Sequence, residues 1–461
     1  MIEGDLYGRL LANTLFPAFE AVRGRPTVAL LKYLEETERW TPGALREVQT
    51  GLLRRLVRHA QHHTEYYRHL LDERGLKAES FLSPDDLQKL PLLDRGTLRE
   101  SMTARIANAP PAAVVRKTTS GSSGQPVEVM YNSESRHWRD ATRWRGYGWG
   151  GYRIGMRAMH YWGFVPSGSS TWWKRRKIDA DRLFKRDLYL DCTPRGEQAL
   201  DEVVSTLRRF EPQAIVAYAS GAGALARFVN DRNLRTWSEI PVLTGAESLL
   251  PHDRVEVERA FGPAFETYGC REVMLIASEC DAHDGLHTSM ENLIVELIVR
   301  EPNGTIRAAR PGETGEVVIT DLHNLACPMI RYVNGDLAVA RGDAPCRCGR
   351  GLVKIGPVQG RVTETMYDGG GNPVGGLVFN ILFSTIGQVA RNFQVVQRAD
   401  RSVVFRVVPY QGTALPAKEE EILRTHAAKY LPGAPFAIEI VDHIPLTAAG
   451  KRRVVVVEKK E

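Results

Sequence analysis

The 461-residue sequence predicts an α/β protein with a large N-terminal domain of layered sheets and helices, followed by a small α+β C-terminal domain. Three observations predict this. Apolar runs of strand length alternate with helix-period patterns from about residue 127 to 320. The character of the chain changes around Gly360, where turn-rich sequence begins. Beyond it, period-two runs flank one charged amphipathic helix.

The elements follow in order. From Thr41 to about Arg105, apolar residues recur at helical spacing, as in Leu52, Leu53, Leu56, Val57, Leu70 and Leu71, so residues 1 to about 110 form a helical N-terminal region. Strand-like runs follow at Ala214–Tyr218, Leu293–Val299 and Glu316–Ile319, interleaved with helical patterns, although alternation alone does not dictate one sheet. The stretch Gly369-Gly370-Gly371-Asn372-Pro373 marks a boundary region, giving domains at 1–360 and 361–461. The second contains strands at Phe393–Gln397, Val403–Val408 and Phe436–Val441, with a helix from about Pro416 to Leu431.

A content of 43% hydrophobic and 25% charged residues is that of an ordinary globular protein. The net charge of +6, from 61 basic and 55 acidic residues, does not imply nucleic acid. No apolar run near the N-terminus suits a signal peptide or a membrane span, so a cytoplasmic enzyme without a membrane partner is expected. The cluster from Trp172 to Lys177 is expected as a solvated loop with its aromatics folded inward, rather than a phosphate or membrane patch. Six cysteines are too few for a disulfide framework, and Cys346-Arg347-Cys348 is spaced for a metal.

Four segments carry chemistry. In Thr118-Thr119-Ser120-Gly121-Ser122-Ser123-Gly124-Gln125-Pro126, small hydroxyl residues and glycines let backbone N–H groups converge on a polyanion, without the Gly-Lys-Ser/Thr ending of nucleotide kinases. In Tyr268-Gly269-Cys270-Arg271-Glu272, the aromatic suits a purine face and the carboxylate suits Mg2+. In Arg331-Tyr332-Val333-Asn334-Gly335-Asp336, the acid can accept from ribose hydroxyls, although the same segment also reads as a plain turn. In Thr447-Ala448-Ala449-Gly450-Lys451, a lysine on a glycine hinge suits an α-phosphate.

In this order the four segments resemble the signature set of the adenylate-forming superfamily. The segment His59–Arg99, Val127, Cys346-Arg347-Cys348-Gly349-Arg350 and Asn392–Gln397 resemble its phenylacetate-CoA ligase and CapK-like branch. The resemblance covers about residues 50–457. It implies that Ser120, Gly121, Ser122, Ser123 and Gly124 wrap the β- and γ-phosphates of ATP, and that Gly245-Ala246-Glu247 lines the junction of acyl and adenine pockets. It further implies that Tyr268 lies by the adenine, Glu272 binds Mg2+, Asp336 holds the ribose, Arg361 reaches the nucleotide near the hinge, and Lys451 contacts the acyl carboxylate and α-phosphate. The small domain would be a mobile lid.

Arg271 stands where the superfamily usually has Thr, replacing a hydroxyl contact by a guanidinium, and Glu364 stands where Asp is usual. The implied activity is that of a ligase converting a carboxylic acid, aryl or arylacetic, to acyl-AMP and then to its CoA thioester. The rival enzyme hands the acyl group to a carrier-protein phosphopantetheine or an amine, and a non-catalytic nucleotide-binding protein is a third reading. His160, Tyr161, Trp162 and Phe164 read as core side chains or as walls of an aromatic pocket. A structural zinc ion is expected on Cys280, His287, Cys346 and Cys348, with His283 the alternative to His287. The resemblance supports pairing the two segments, and oligomeric state is left open.

Overall fold

The computed structural model describes residues 5–110, 113–118, 128–163, 172–193, 196–301, 303–361, 366–370, 373–374, 379, 390–409, 414–446 and 453–458. Ser120, Gly121, Ser122, Ser123, Gly124, Phe164, Glu364 and Lys451 lie outside the described residues.

The helical N-terminal region comprises α1 (Leu6–Leu10), α2 (Phe16–Val22), α3 (Thr27–Thr37), α4 (Pro42–His63), α5 (Glu65–Glu73), α6 (Arg95–Glu100) and α7 (Met102–Arg105). Helix α4 starts where the Thr41 hydroxyl accepts the N–H of Ala44 and Pro42 occupies the first turn, whose N–H groups need no intrahelical partner. Leu45, Gln49, Leu53, Leu56, Val57 and Ala60 recur every three or four residues and are its buried face, as the periodicity predicts.

A hairpin of β1 (Val114–Thr118) and β2 (Glu128–Asn132) follows, with Thr118 opposite Glu128, so the Ser/Gly-rich segment joins the two strands at the hairpin tip. After α8 (Ser133–Trp149) come β3 (Ala158–Trp162), α9 (Trp172–Lys185), β4 (Asp187–Asp191), α10 (Glu197–Phe210), β5 (Ala214–Tyr218), α11 (Ala219–Asp231), β6 (Val242–Gly245), α12 (Pro251–Ala260) and β7 (Ala264–Cys270). Strands β4, β3, β5, β6 and β7 are parallel neighbours in that order. Strand β5 is buried along its whole length, as a central strand covered on both faces must be.

Strands β8 (Met274–Glu279), β9 (Leu286–Thr288), β10 (Leu293–Arg300), β11 (Ile306–Ala308), β12 (Thr314–Asp321), β13 (Tyr332–Ala340) and β14 (Lys354–Arg361) are antiparallel to their neighbours. Together with the parallel strands they form a single twelve-stranded sheet. The parallel and antiparallel strands meet at the β7–β8 pair, and the stretch up to β9 is joined to the rest, β10 to β14, through a short pairing of β14 with β9, Lys354 opposite His287 and Ile355 opposite Leu286.

Beyond a small pair, β15 (Met366–Tyr367) and β16 (Pro373–Val374), lies a four-stranded sheet in the order β19-β18-β17-β20. Its strands are β17 (Ala390–Gln397), β18 (Val403–Pro409), β19 (Phe436–Ile440) and β20 (Val455–Val457), with α13 (Ala417–Tyr430) against them. Phe393, Val395, Phe405, Val407, Leu423 and Val455 form a core of its own. The helix, β18 and β19 match the predicted elements to within a residue at each end, β17 begins at Ala390 rather than Phe393, and β20 was not predicted.

One expectation is corrected. Trp172 to Lys177 are the first turns of α9, and Trp172 and Trp173 are 56% and 76% exposed rather than folded inward. The segment is rich in good helix formers, and Lys185 pairs with Asp181 one turn away. The helix is anchored at its other end, where Phe184 packs on Phe19 and Arg182 lies over Tyr189, which leaves the tryptophans unpacked.

Candidate functional site

The site is assembled where β7 turns into β8 and where β13 begins. The turn is tight, because a Cβ on Gly269 would sit 2.3 Å from the carbonyl oxygen of Met274. It presents Glu272, which is buried and accepts the Tyr332 hydroxyl at 3.2 Å. Across the sheet, Tyr268 donates its hydroxyl to Asp336 Oδ2 at 2.9 Å and accepts from Asn334 Nδ2 at 2.7 Å. Burial, and then the Asp336 charge, push the Tyr268 phenol well above its ordinary value, so it remains a donor at neutral pH.

Gly335, at a φ of +85°, lets the strand curl so that Asn334 Oδ1 accepts the N–H of Asp336 at 3.0 Å. Asp336 is opposite Arg361 in the β13–β14 register, which brings the backbones of two expected nucleotide residues together. Lys117 Nζ, next to the tip end of the β1–β2 hairpin, is 4.0 Å from Met274 Sδ, so that end of the hairpin stands beside the turn carrying Glu272.

Arg95 belongs to this group and was not singled out from the sequence. Leu93 bridges into the sheet, donating its N–H to Arg331 O at 2.8 Å and accepting that of Val333 at 3.0 Å. That contact carries Arg95 to the site, where its guanidinium donates to Asn334 O at 2.9 Å. Burial works against its charge, but Tyr332, Glu272 and Asp336 outweigh it and raise its pKa. The available signal was position: Arg95 directly follows Leu90-Pro91-Leu92-Leu93-Asp94.

Gly245-Ala246-Glu247 leaves the end of β6. A Cβ on Gly245 would meet Thr267 Oγ1 at 2.9 Å, and Ala246 has a φ of +67°. Glu247 Oε2 accepts the N–H of Ser220 at 3.0 Å, and Ser248 Oγ donates to Val358 O at 2.7 Å, which fixes the loop to β14. Trp162 packs edge-on against Tyr218 with ring centroids 4.5 Å apart and reaches the Gly245 position. Of the other aromatics, Tyr161 is fully buried core and His160 stacks on Tyr189. Arg271 is exposed, and its charge acts on the Tyr218 phenol, which is pushed up to about 12, chiefly by burial.

Behind this loop, Glu266 Oε1 accepts the N–H of Leu249 at 3.3 Å. Burial, and then Glu279, push its carboxyl up to about 7, with Leu249 and Arg254 opposing. Glu279 is itself held by Arg254 at 2.9 Å and His283 at 3.0 Å. A folded pKa above the unfolded one means the stabilisation is complete below the ordinary carboxylate range and is lost as pH rises through about 7. Glu266→Gln should therefore gain on wild type by on the order of 2 kcal/mol between pH 5 and pH 8 in denaturant titrations, and parallel stability profiles would remove this role.

Cys280, His287, Cys346 and Cys348 offer ligand atoms that all lie within 4.8 Å of one another. Cys280 Sγ is 3.7 Å from Cys346 Sγ, and Cys348 Sγ is 3.3 Å from His287 Nε2. A tetrahedron with bonds of about 2.0–2.3 Å has edges of about 3.3–3.8 Å, so the set fits zinc. His287 donates Nδ1–H to Leu352 O at 3.0 Å, and burial lowers its pKa to about 4, so the ring is neutral with Nε2 turned to the sulfurs. At Cys348 burial opposes ionisation, but hydrogen bonds from Arg350 outweigh it and lower the thiol pKa. His283 is engaged by Glu279 and stacked on Phe265, outside the cluster, so His287 is the histidine of the set.

The loop is tied to the N-terminal helices. Arg39 donates to Cys348 O at 2.6 Å, Arg350 to Glu38 Oε1 at 3.1 Å, and the Gly351 N–H to Glu38 O at 2.9 Å. A separate cavity of about 470 Å3 is lined in part by Arg46, Leu90, Glu296, Arg307, Arg331 and Lys354. Its cations are matched by Asp85, Glu313, Glu296 and Asp284, so it holds little unbalanced charge.

No family profile matches the chain. It is 27% identical over 378 residues to a phenylacetate-coenzyme A ligase of Thermus thermophilus, covering 80% of this chain and 82% of that one. It is 21% identical over 433 residues to protein CapK of Staphylococcus aureus, covering 91% of each. Among solved structures, 2-hydroxyisobutyryl-CoA ligase in the postadenylation state with R3-HIB-AMP matches with a TM-score of 0.72 at 18% identity, over 92% of both chains. At that identity the likeness shows the fold, a large N-terminal domain with a small C-terminal one.

Proposed function

We propose that this chain, which belongs to the adenylate-forming superfamily, uses ATP to activate a carboxylic acid as its acyl-adenylate and then passes the acyl group to coenzyme A. The observation that carries the reading is the convergence of Glu272, the Tyr268–Asp336 pair and Arg95 beside the tip of the β1–β2 hairpin. An acid oxygen attacks the α-phosphorus and pyrophosphate leaves; the acceptor thiol then attacks the acyl carbonyl and AMP leaves. Neither step needs a covalent enzyme intermediate, so positioning and charge placement do most of the catalysis.

Ser120 to Gly124 hold the β- and γ-phosphates, and Asp336, fixed by Tyr268 and Asn334, accepts from the ribose. Glu272, oriented by Tyr332, is the magnesium ligand, and the ion neutralises phosphate charge when bound. Gly245-Ala246-Glu247 and Trp162 border the acyl pocket, and an aryl or arylacetic acid suits the Trp162–Tyr218 pair. Arg361 reaches the nucleotide from the boundary at residues 360–361, beyond which the small domain carries Lys451 as a lid. Arg271 supplies the α-phosphate contact usually made by a hydroxyl. Cys280, His287, Cys346 and Cys348 hold a structural zinc ion.

The reading is tested by pyrophosphate exchange and AMP release across a carboxylic-acid library, first with free CoA and then with carrier proteins or amines. Turnover with CoA supports it; turnover with a carrier or amine alone moves the chain to the rival acceptor; and exchange with no acid refutes catalysis. Asp336→Ala should raise the KM for ATP about tenfold or more, since a charged acceptor to the ribose is lost. An unchanged KM would reduce the segment to a turn.

A further inference from the structure

Helix α9 exposes a stripe with no counterpart elsewhere in the mechanism. Trp172, Arg176, Ala180 and Leu183 follow one another at spacings of three or four residues, with Trp173 and Lys177 directly beside them. Leu183 is 80% exposed, as far into solvent as the two tryptophans, and the Arg176 guanidinium lies 5.0 Å over the Trp172 ring. Of the helix's carboxylates, Asp181 is engaged by Lys185, and Asp179, which lies on the stripe between Arg176 and Leu183, is engaged by Arg182. Among the described residues no ion pair is formed by Arg176 or Lys177.

The N-terminal helices adjoin the other end of α9 and extend its exposed apolar surface past Leu183. Phe19 on α2 packs on Phe184, and Asp5 binds Arg186 just past the end of α9. Leu6 and Leu10 on α1 and Val22 on α2 are exposed. Apolar surface concentrated on adjacent helices, rather than scattered singly, marks an interaction surface.

Its location gives it meaning. The Arg186 carbonyl accepts the N–H of Ala158, so α9 ends at the start of β3 and runs back along the sheet. A helix of 14 residues spans about 21 Å. Its tryptophans therefore lie toward the strand ends that carry Trp162, Tyr218 and Gly245.

We propose that α9 docks this protein onto an anionic lipid surface. Tryptophans with an apolar body and a polar N–H settle at the headgroup boundary, and flanking Arg and Lys are drawn to anionic lipid. The charge sign selects this occupant over a zwitterionic surface. An acidic protein would match the cations but leave the exposed residues of α1 and α2 uncovered. The proposal stands apart from the reaction and is read without turnover.

The full chain is sedimented with vesicles of phosphatidylcholine and with vesicles containing about one third phosphatidylglycerol, at low salt and at about 0.5 M salt. Wild type should favour the anionic vesicles at least about tenfold and be released by salt. Trp172→Ala with Trp173→Ala should weaken binding about tenfold, and Arg176→Glu with Lys177→Glu should abolish it. Both variants should keep wild-type melting temperature and pyrophosphate exchange. No wild-type binding to anionic vesicles, or binding that survives both variants, overturns the proposal. So does a tryptophan-dependent dimer, or capture of an acidic carrier protein, in the absence of vesicle binding.

Discussion

Replacing Lys451 with Ala should reduce acyl-adenylate formation by about a hundredfold or more while thioester formation from supplied acyl-AMP survives. The first half-reaction concentrates negative charge on the α-phosphate as the acid attacks, and a cation placed there in advance stabilises that charge without reorganisation. Losing one such contact typically costs about two to three orders of magnitude in rate. Lys451 directly follows Gly450 in the sequence, and in the proposed reading it would be brought to the phosphate and withdrawn with the small domain. The second half-reaction expels AMP and makes no such demand. Pyrophosphate exchange reads the first step and thioester formation from acyl-AMP reads the second. Equal losses in both would mean the lysine is structural.

Removing the metal should cost stability before it costs chemistry. Purified protein should contain about one zinc per chain, and Cys346→Ser with Cys348→Ser should lower the melting temperature by about 5–15 °C. The physical reason is that Cys280, Cys346 and His287 are buried and lie within ligand distance of one another, so without an ion their polar atoms lose their best partner. Remaining pyrophosphate exchange at a temperature where both forms are folded should stay near wild type, because no ligand touches Glu272 or Asp336. Zinc well below one per chain, or an unchanged melting temperature, would dismiss the metal.

What the sequence made legible follows from the kind of signal each feature leaves. Helix α4 and strands β17 and β18 were readable because their buried faces repeat at 3.6 or 2 residues. Glu272 was singled out as a carboxylate four residues after Tyr268 and Asp336 as one directly after Gly335, and the fold brings Tyr268 and Asp336 into contact and sets Glu272 against Tyr332. Arg95 was not, because it reaches the site through the pairing of Leu93 with Arg331 and Val333, a contact between segments far apart in sequence. The choice between His283 and His287 was equally closed, since both follow Cys280 in one polar segment and only the fold sends one of them to Glu279. The tryptophans of α9 were misread because burial of an aromatic depends on what packs against it. Here the packing is at Phe184, at the helix's other end.

The narrow join between the halves of the sheet has a consequence in time. Cys280 and Cys346 are 66 residues apart, and the ligands sit on β9 and just ahead of β14, the two strands whose short pairing makes the sheet continuous. During synthesis, β3 to β9 emerge with Cys280 and His287 already in place, while their partners follow only after β10 to β13. The core around β3 to β7 can form before the seam closes, whereas the core beneath the seam takes Ile276, Ala277 and Leu286 from one side and Leu293, Val317 and Ile355 from the other and is complete only with it. On the zinc reading proposed above, binding of the ion would accompany that closure, so the rate at which the whole sheet becomes continuous would depend on zinc supply as well as on hydrophobic collapse. On that reading, a chain starved of zinc would pause with the seam between β9 and β14 still open to pairing with another chain.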